Sequence, residues 1–133
     1  MKYKLTLLVL GVFLLHTSCH GPTSSNTDKG MVKVTIMYPN SDGKTFDMDY
    51  YANTHMPLVA DLMGESLKKL SIDKGISGRT PEEPIPYLAI GYLYFDELSD
   101  YREAFGPNAE KIVGDIPNFT NVQPIVQISE VYE

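Results

Sequence analysis

The sequence predicts an α+β fold in the order β-α-β-β-α-β, the ferredoxin-like arrangement in which two helices pack on one face of a four-stranded antiparallel sheet. Three observations predict it. Residues 32–38 alternate side-chain character with a period of two, as a strand requires. Two long segments, 46–64 and 98–116, carry apolar residues at helical spacing. Between them, residues 87–95 (YLAIGYLYF) form an unbroken apolar and aromatic run, the pattern of a central strand.

In the first strand, Val32, Val34, Ile36 and Tyr38 alternate with Lys33, Thr35 and Met37. Pro39 to Gly43 reads as a turn. The helix over Phe46 to Gly64 has a stripe of Tyr51, His55, Leu58, Val59 and Leu62, with Gly64 placed to end it. Pro57 removes an N–H that would bond the Asn53 carbonyl, so the helix should bend beside His55. Residues 67–77 are ambiguous, with a strand ending near Gly75. Residues 78–86 hold three prolines and read as a loop. In the second helical segment the stripe is Leu98, Tyr101, Phe105, Ile112 and Ile116. Gly106-Pro107 interrupts it, predicting a kink or two helices. Val122 to Val131 closes the chain as a strand. The sheet face away from the helices would carry Met37, Leu88, Ile90, Ile125 and Val131. That patch is too apolar to stay open, and a second copy of the chain is its simplest cover.

The first 30 residues read differently. Lys2 and Lys4 precede an apolar run, Leu5 to Leu15, of secretory length and too short for a comfortable membrane span. Thr17-Ser18-Cys19 follows at once. The expectation is a signal peptide over 1–18, lipidation at Cys19, a Gly/Pro/Ser/Thr-rich flexible tether over 19–30, and one domain over 31–133. The product would be a membrane-anchored lipoprotein exported to a bacterial cell envelope. His16 stands where the usual lipobox has Leu. A plain signal peptide with a free Cys, or a short N-terminal anchor, are the alternatives.

The formal charge of the 133-residue chain is -6, and its longest basic run is Lys68-Lys69. Nucleic acid, which needs clustered cations, is excluded as a partner. There is no Gly-rich phosphate loop, no dinucleotide fingerprint and no nucleophile elbow. Cys/His spacing for a metal is absent. The reading is therefore cofactor-free chemistry, or a ligand such as haem borrowed through His55, for which nothing beyond the single His speaks.

His55 is the only His outside the leader and tether, and it shares a helix face with Tyr51 and Leu58. A buried imidazole there needs a hydrogen-bond partner, for which Tyr38, Tyr92, Tyr94 and Gln127 are the candidates. Its role is either a general base or ligand-positioning donor, or a satisfied core histidine. The nine tyrosines, with no tryptophan, suggest an aromatic-walled cavity for a flat or apolar molecule, drawn from Tyr38, Tyr50, Tyr51, Tyr87, Tyr92 and Tyr94. Asp47 and Asp49 read as helix-starting residues, and Asp115 as a turn former.

Four segments resemble the EthD family: YPN with FDMDYYANTHMPLV, then PYLAIGYLYFD, AFGPNAEKIVGDIPNFT and QPIVQISEV. Together they span nearly all of residues 31–131. The resemblance implies a homodimeric α/β barrel. The family is named for a gene product linked to degradation of a fuel ether and is loosely described as oxidoreductase. Proteins of the same fold include cofactor-free monooxygenases, muconolactone isomerase and haem-handling enzymes. Many members look cytoplasmic, and the export-type leader departs from that. The resulting expectation is a protein that binds a small apolar or aromatic compound, with cofactor-free oxidoreductase or isomerase-type chemistry centred on His55. Its ligand would be held by Tyr38, Tyr51, Tyr92, Tyr94 and Gln127. The alternative is a non-catalytic ligand-binding or accessory lipoprotein.

Overall fold

The computed structural model describes residues 28–133, so the leader, Cys19 and most of the tether lie outside the described residues. Four strands, β1 (Val32–Pro39), β2 (Lys69–Lys74), β3 (Tyr87–Phe95) and β4 (Ile125–Glu130), make one sheet in the order β2-β3-β1-β4. Every pairing is antiparallel. Two helical segments cover one face, which gives the ferredoxin-like architecture. The ambiguous stretch before the proline-rich loop resolves as the edge strand β2. The last strand is shorter than its sequence pattern, because Pro124 has no N–H to give a ladder.

The first helical segment is not uniform. It runs as α1 (Met48–Tyr50), a π-helical turn (Tyr51–His55) and α2 (Met56–Met63). Asp47 caps its start by accepting a bond from the Tyr50 N–H at 2.9 Å. Gly64, at φ +56°, ends it in a backbone conformation that side chains disfavour. Within the π turn the Met56 N–H bonds the Tyr51 carbonyl, five residues back. One extra residue per turn is how the chain accommodates Pro57, which has no N–H to offer Asn53. The extra residue also shifts the helix phase. The expected stripe ran through Leu58 and Leu62, but the buried residues are Tyr51, His55, Met56, Val59 and Met63. Leu58 and Leu62 are only half-buried.

The second helical segment divides as the Gly-Pro predicts, into α3 (Leu98–Phe105), a 3-10 turn (Gly106–Asn108) and α4 (Ala109–Asp115). The following segment is clamped to the start of the first helix. The Asp47 N–H bonds the Phe119 carbonyl at 2.7 Å, and the Thr120 hydroxyl donates to the Thr45 carbonyl at 2.7 Å. Asn121 accepts from the Thr45 N–H and donates to the Gly43 carbonyl. This clamp brings the end of α4 against the π turn.

Pairing registers sort the side chains. Val34, Ile36 and Tyr38 face the helices together with Ala89, Gly91, Leu93 and Phe95. Ala89, Leu93 and Phe95 are at most 4% exposed. The opposite face carries Thr35, Met37, Leu88, Ile90, Tyr92 and Tyr94, all half-buried, with Ile125 at 52% exposed.

Candidate functional site

The site is built around His55, at the last position of the π turn and 3% exposed. The Tyr51 ring stacks on the imidazole at 5.7 Å and 18°, and the Phe119 ring lies 4.6 Å away. His55 Nδ1 donates to Asp115 Oδ2 at 2.8 Å. A carboxylate only accepts, so the proton is assigned to Nδ1, leaving Nε2 as the ring's free polar atom. Asp115 is itself held at the C-terminal end of α4. Its Oδ1 accepts from the Tyr50 hydroxyl at 3.0 Å and from the Asn118 amide at 2.7 Å. Burial pushes the Asp115 carboxyl up. The hydrogen bonds from His55, Asn118 and Tyr50 outweigh it, and the group lies below its ordinary value.

His55 forms part of the wall of a cavity of about 100 Å³ between sheet and helices. Val34, Ile36, Tyr38 and Leu93 line its sheet side. Tyr51, Val59, Met63, Tyr101 and Phe105 line the helix side. Access is between α4 and the edge strand β4, past Ile116, Val113 and Val126. Val113 and Val126 are 53% and 50% exposed, so the mouth is apolar and open. The Tyr38 and Tyr51 rings in the cavity wall meet edge-on, 5.6 Å apart. Burial pushes both phenols well above the usual tyrosine range, so both keep their protons at neutral pH.

Gly91, in the middle of β3, makes this arrangement possible. A Cβ at that position would lie 2.4 Å from the Tyr51 hydroxyl and 3.5 Å from the Met56 methyl. The glycine is there for close approach, since only a residue without a side chain leaves room for the phenol.

Of the residues expected to form the site, Tyr38, Tyr51 and His55 meet at one cavity. Tyr92, Tyr94 and Gln127 do not join it. They project from the opposite face of the sheet, because successive strand residues alternate sides. There burial and the nearby Asp73 push the Tyr92 phenol up, Tyr94 lies under the Lys69 ammonium at 4.8 Å, and Gln127 bonds Ser129 at 3.0 Å. None of the four expected hydrogen-bond partners holds the imidazole; Asp115 does. Sequence reasoning assigned Asp115 to a turn and passed over Phe119. The available signal was the Asp-Ile-Pro-Asn segment itself, whose Asp and Asn both bind at this centre. Among the described residues, no group of three or more His, Cys, Asp or Glu side chains is placed to hold a metal ion. No helix among them is long and apolar enough to cross a membrane.

The EthD domain profile matches residues 41–123, more than half of the chain. The chain belongs to the EthD family. An EthD-like protein from Ralstonia eutropha is 34% identical over 77% of this chain and 92% of its own, with a TM-score of 0.73. An ethyl tert-butyl ether D (EthD) family protein from Bacillus halodurans shares the fold at 21% identity. It covers 75% of this chain and 97% of its own, with a TM-score of 0.50. No curated protein matches the chain. The matched EthD segment contains the whole π turn, His55, Gly91, Asp115 and Phe119.

Proposed function

We propose that this EthD protein binds a small apolar or aromatic compound in the cavity beside His55. His55 would serve there as a proton acceptor in cofactor-free chemistry. The observation that carries the reading is the His55–Asp115 pair, buried at the wall of an otherwise apolar cavity with an open mouth. A core histidine needs one partner. This one has its Nδ1 proton committed to a carboxylate that is itself tied by two further donors, and its second nitrogen bonds nothing among the described residues. That is the geometry of a positioned base: Asp115 orients the ring and stabilises the imidazolium formed when Nε2 takes a proton. The balanced reaction is proton removal from one atom of the ligand and return at another, an isomerase-type step.

The test is ligand-dependent melting. Toluene at tenfold over its Kd should raise stability by about 1.4 kcal/mol. The gain should disappear when Val59→Trp fills the cavity. If toluene leaves the melting temperature unchanged at its solubility limit, the pocket reading falls. A His55→Gln variant that exchanges protons between a bound ligand and D2O as fast as the parent would mark His55 as no part of the chemistry.

We further propose a homodimer through the open sheet face, where half-buried Met37, Leu88, Ile90 and Tyr92 adjoin exposed Ile125. Anchoring through a lipid on Cys19 belongs to the same proposal. Its support is the apolar leader ending in Thr-Ser-Cys. Cys19→Ser should release the protein from the membrane fraction.

A further inference from the structure

The His55–Asp115 pair lies between two different spaces. On one side the imidazole lines the apolar cavity, and Asp115 is no part of that wall. On the other side Asp115 lines an open groove on the outside of α4, with Leu58, Glu110, Lys111, Gly114 and Asn118, and His55 is no part of it. The His55 side chain is 4% exposed and the Asp115 side chain 14%. The groove is polar and charged where the cavity is apolar.

Gly114 keeps that groove clear. It lies inside a continuous helical run, because α4 passes through Ile116, helical at φ -53° and ψ -43°, into the 3-10 turn Ile116–Asn118. It takes no left-handed backbone angle, so it is not a helix-ending glycine. A Cβ at Gly114 would meet nothing within 4 Å. Gly91 must be a glycine because a phenol presses on it. At Gly114 no neighbour among the described residues forbids a side chain, and glycine is a poor helix former. What its bareness leaves is an unobstructed path to the adjoining carboxylate.

Asp115 has a use for that path. Its Oδ1 accepts from Tyr50 and Asn118, and its Oδ2 from His55. Each carboxylate oxygen can accept two bonds, so Oδ2 has one position left for water. A ligand filling the cavity strips water from the imidazole side. A carboxylate cut off from water on both sides is driven towards its neutral form, and a neutral Asp115 cannot stabilise an imidazolium.

We propose that the groove is the solvent port of the site: water reaches the His55–Asp115 pair from the Asp115 side, over Gly114, and the cavity side of the ring is left to the ligand. Gly114 is then a positioning residue that acts through Asp115. The port's use in catalysis rests on the pair being a base, but its existence does not, so the two readings fail separately.

Two substitutions at exposed positions each close one side. Gly114→Leu covers the groove, and Val126→Trp covers the mouth of the cavity. In the full chain, labelled with 15N-histidine and 13C-aspartate, the His55 Nδ1 proton exchanges with solvent when water takes the place of Asp115 at its bond. Gly114→Leu should slow that exchange by about tenfold or more, leaving it to local opening. It should also raise the midpoint at which the Asp115 carboxyl titrates, since desolvation disfavours the charge. Val126→Trp should change neither. If Val126→Trp slows exchange as much as Gly114→Leu or more, water comes through the mouth and the port is overturned. Equal rates in all three proteins overturn it too, because exchange then does not use the groove. If Gly114→Leu changes the sedimenting mass while the Asp115 midpoint stays put, the groove is a contact between copies and not a port.

Discussion

The two faces of one sheet have been put to different uses. In β3 the residues run Tyr-Leu-Ala-Ile-Gly-Tyr-Leu-Tyr-Phe, apolar throughout, yet alternate members live in different surroundings. Ala89, Gly91, Leu93 and Phe95 are sealed under the helices. Leu88, Ile90, Tyr92 and Tyr94 are half-buried on a face that no element among the described residues covers. The covered face holds the cavity, the stacked Tyr51–His55 pair and the glycine that admits it. The open face pairs its tyrosines with surface charges, Asp73 and Lys69. A tyrosine's neighbours, and not its being a tyrosine, decide whether it can serve a buried ligand.

The largest expected contrast comes from neighbours in sequence. Phe95→Ala, at a position with no exposure, should cost about 3–5 kcal/mol in urea unfolding. Tyr94→Ala, one residue away on the other face, should cost less than about 1 kcal/mol in the isolated protomer. Comparable losses would mean that both faces are core.

Gly91→Ala should follow, at about 1–3 kcal/mol, because its methyl would overlap the Tyr51 hydroxyl at 2.4 Å. Adding Tyr51→Phe should recover much of the loss, since it removes the overlapped atom. Failure to recover any would place the strain elsewhere.

The third test is by pH. Asp115 lies below its ordinary carboxyl value in the folded state, so folding favours its ionised form. Its contribution is complete above the unfolded value, about 3.9, and is lost as pH falls through the lower, folded value. Asp115→Asn should cost about 1–3 kcal/mol at neutral pH and show a shallower decline than the parent below pH of about 4. Parallel acid curves for parent and variant would show that the pair does not couple to folding.

The smallest effect on stability should come from Ile90→Lys. On the open face it should change the unfolding energy little in the protomer but halve the sedimenting mass, if a second copy covers that face. An unchanged mass would leave the sheet face to another partner.

These outcomes follow what the chain does and does not write down. The strand alternation in β1, the Gly-Pro break between α3 and α4 and the irregularity at Pro57 are all local, and the sequence reveals them. Which parity of β3 meets the helices is not local: an all-apolar strand gives no alternation to read. The sequence therefore groups Tyr92 and Tyr94 with Tyr38 and Tyr51, from which the sheet separates them. Gln127 lies with them on the open face, and β4 hides this too, because Ile125, Val126 and Ile128 are apolar on both parities. Asp115 stands 60 residues from His55, a separation that no periodicity spans. The clamp of residues 43–47 on 119–121, with Asn108 bonded to the Leu62 carbonyl, brings them together.

The π turn has a further consequence for engineering. A helix with one surplus residue is a helix from which one residue can be taken away. Asn53 and Thr54 are exposed, so deleting either would remove no buried side chain. Closed as an α-helix, at the cost of the bond four residues back that Pro57 cannot make, the turn would rotate everything before it by roughly a quarter of a circle relative to Val59 and Met63. Tyr51 would swing off Gly91, and the hydroxyl now over that glycine would leave the cavity. A single-codon deletion would therefore leave length and charge nearly unchanged and take Tyr51, 1% exposed, out of the core.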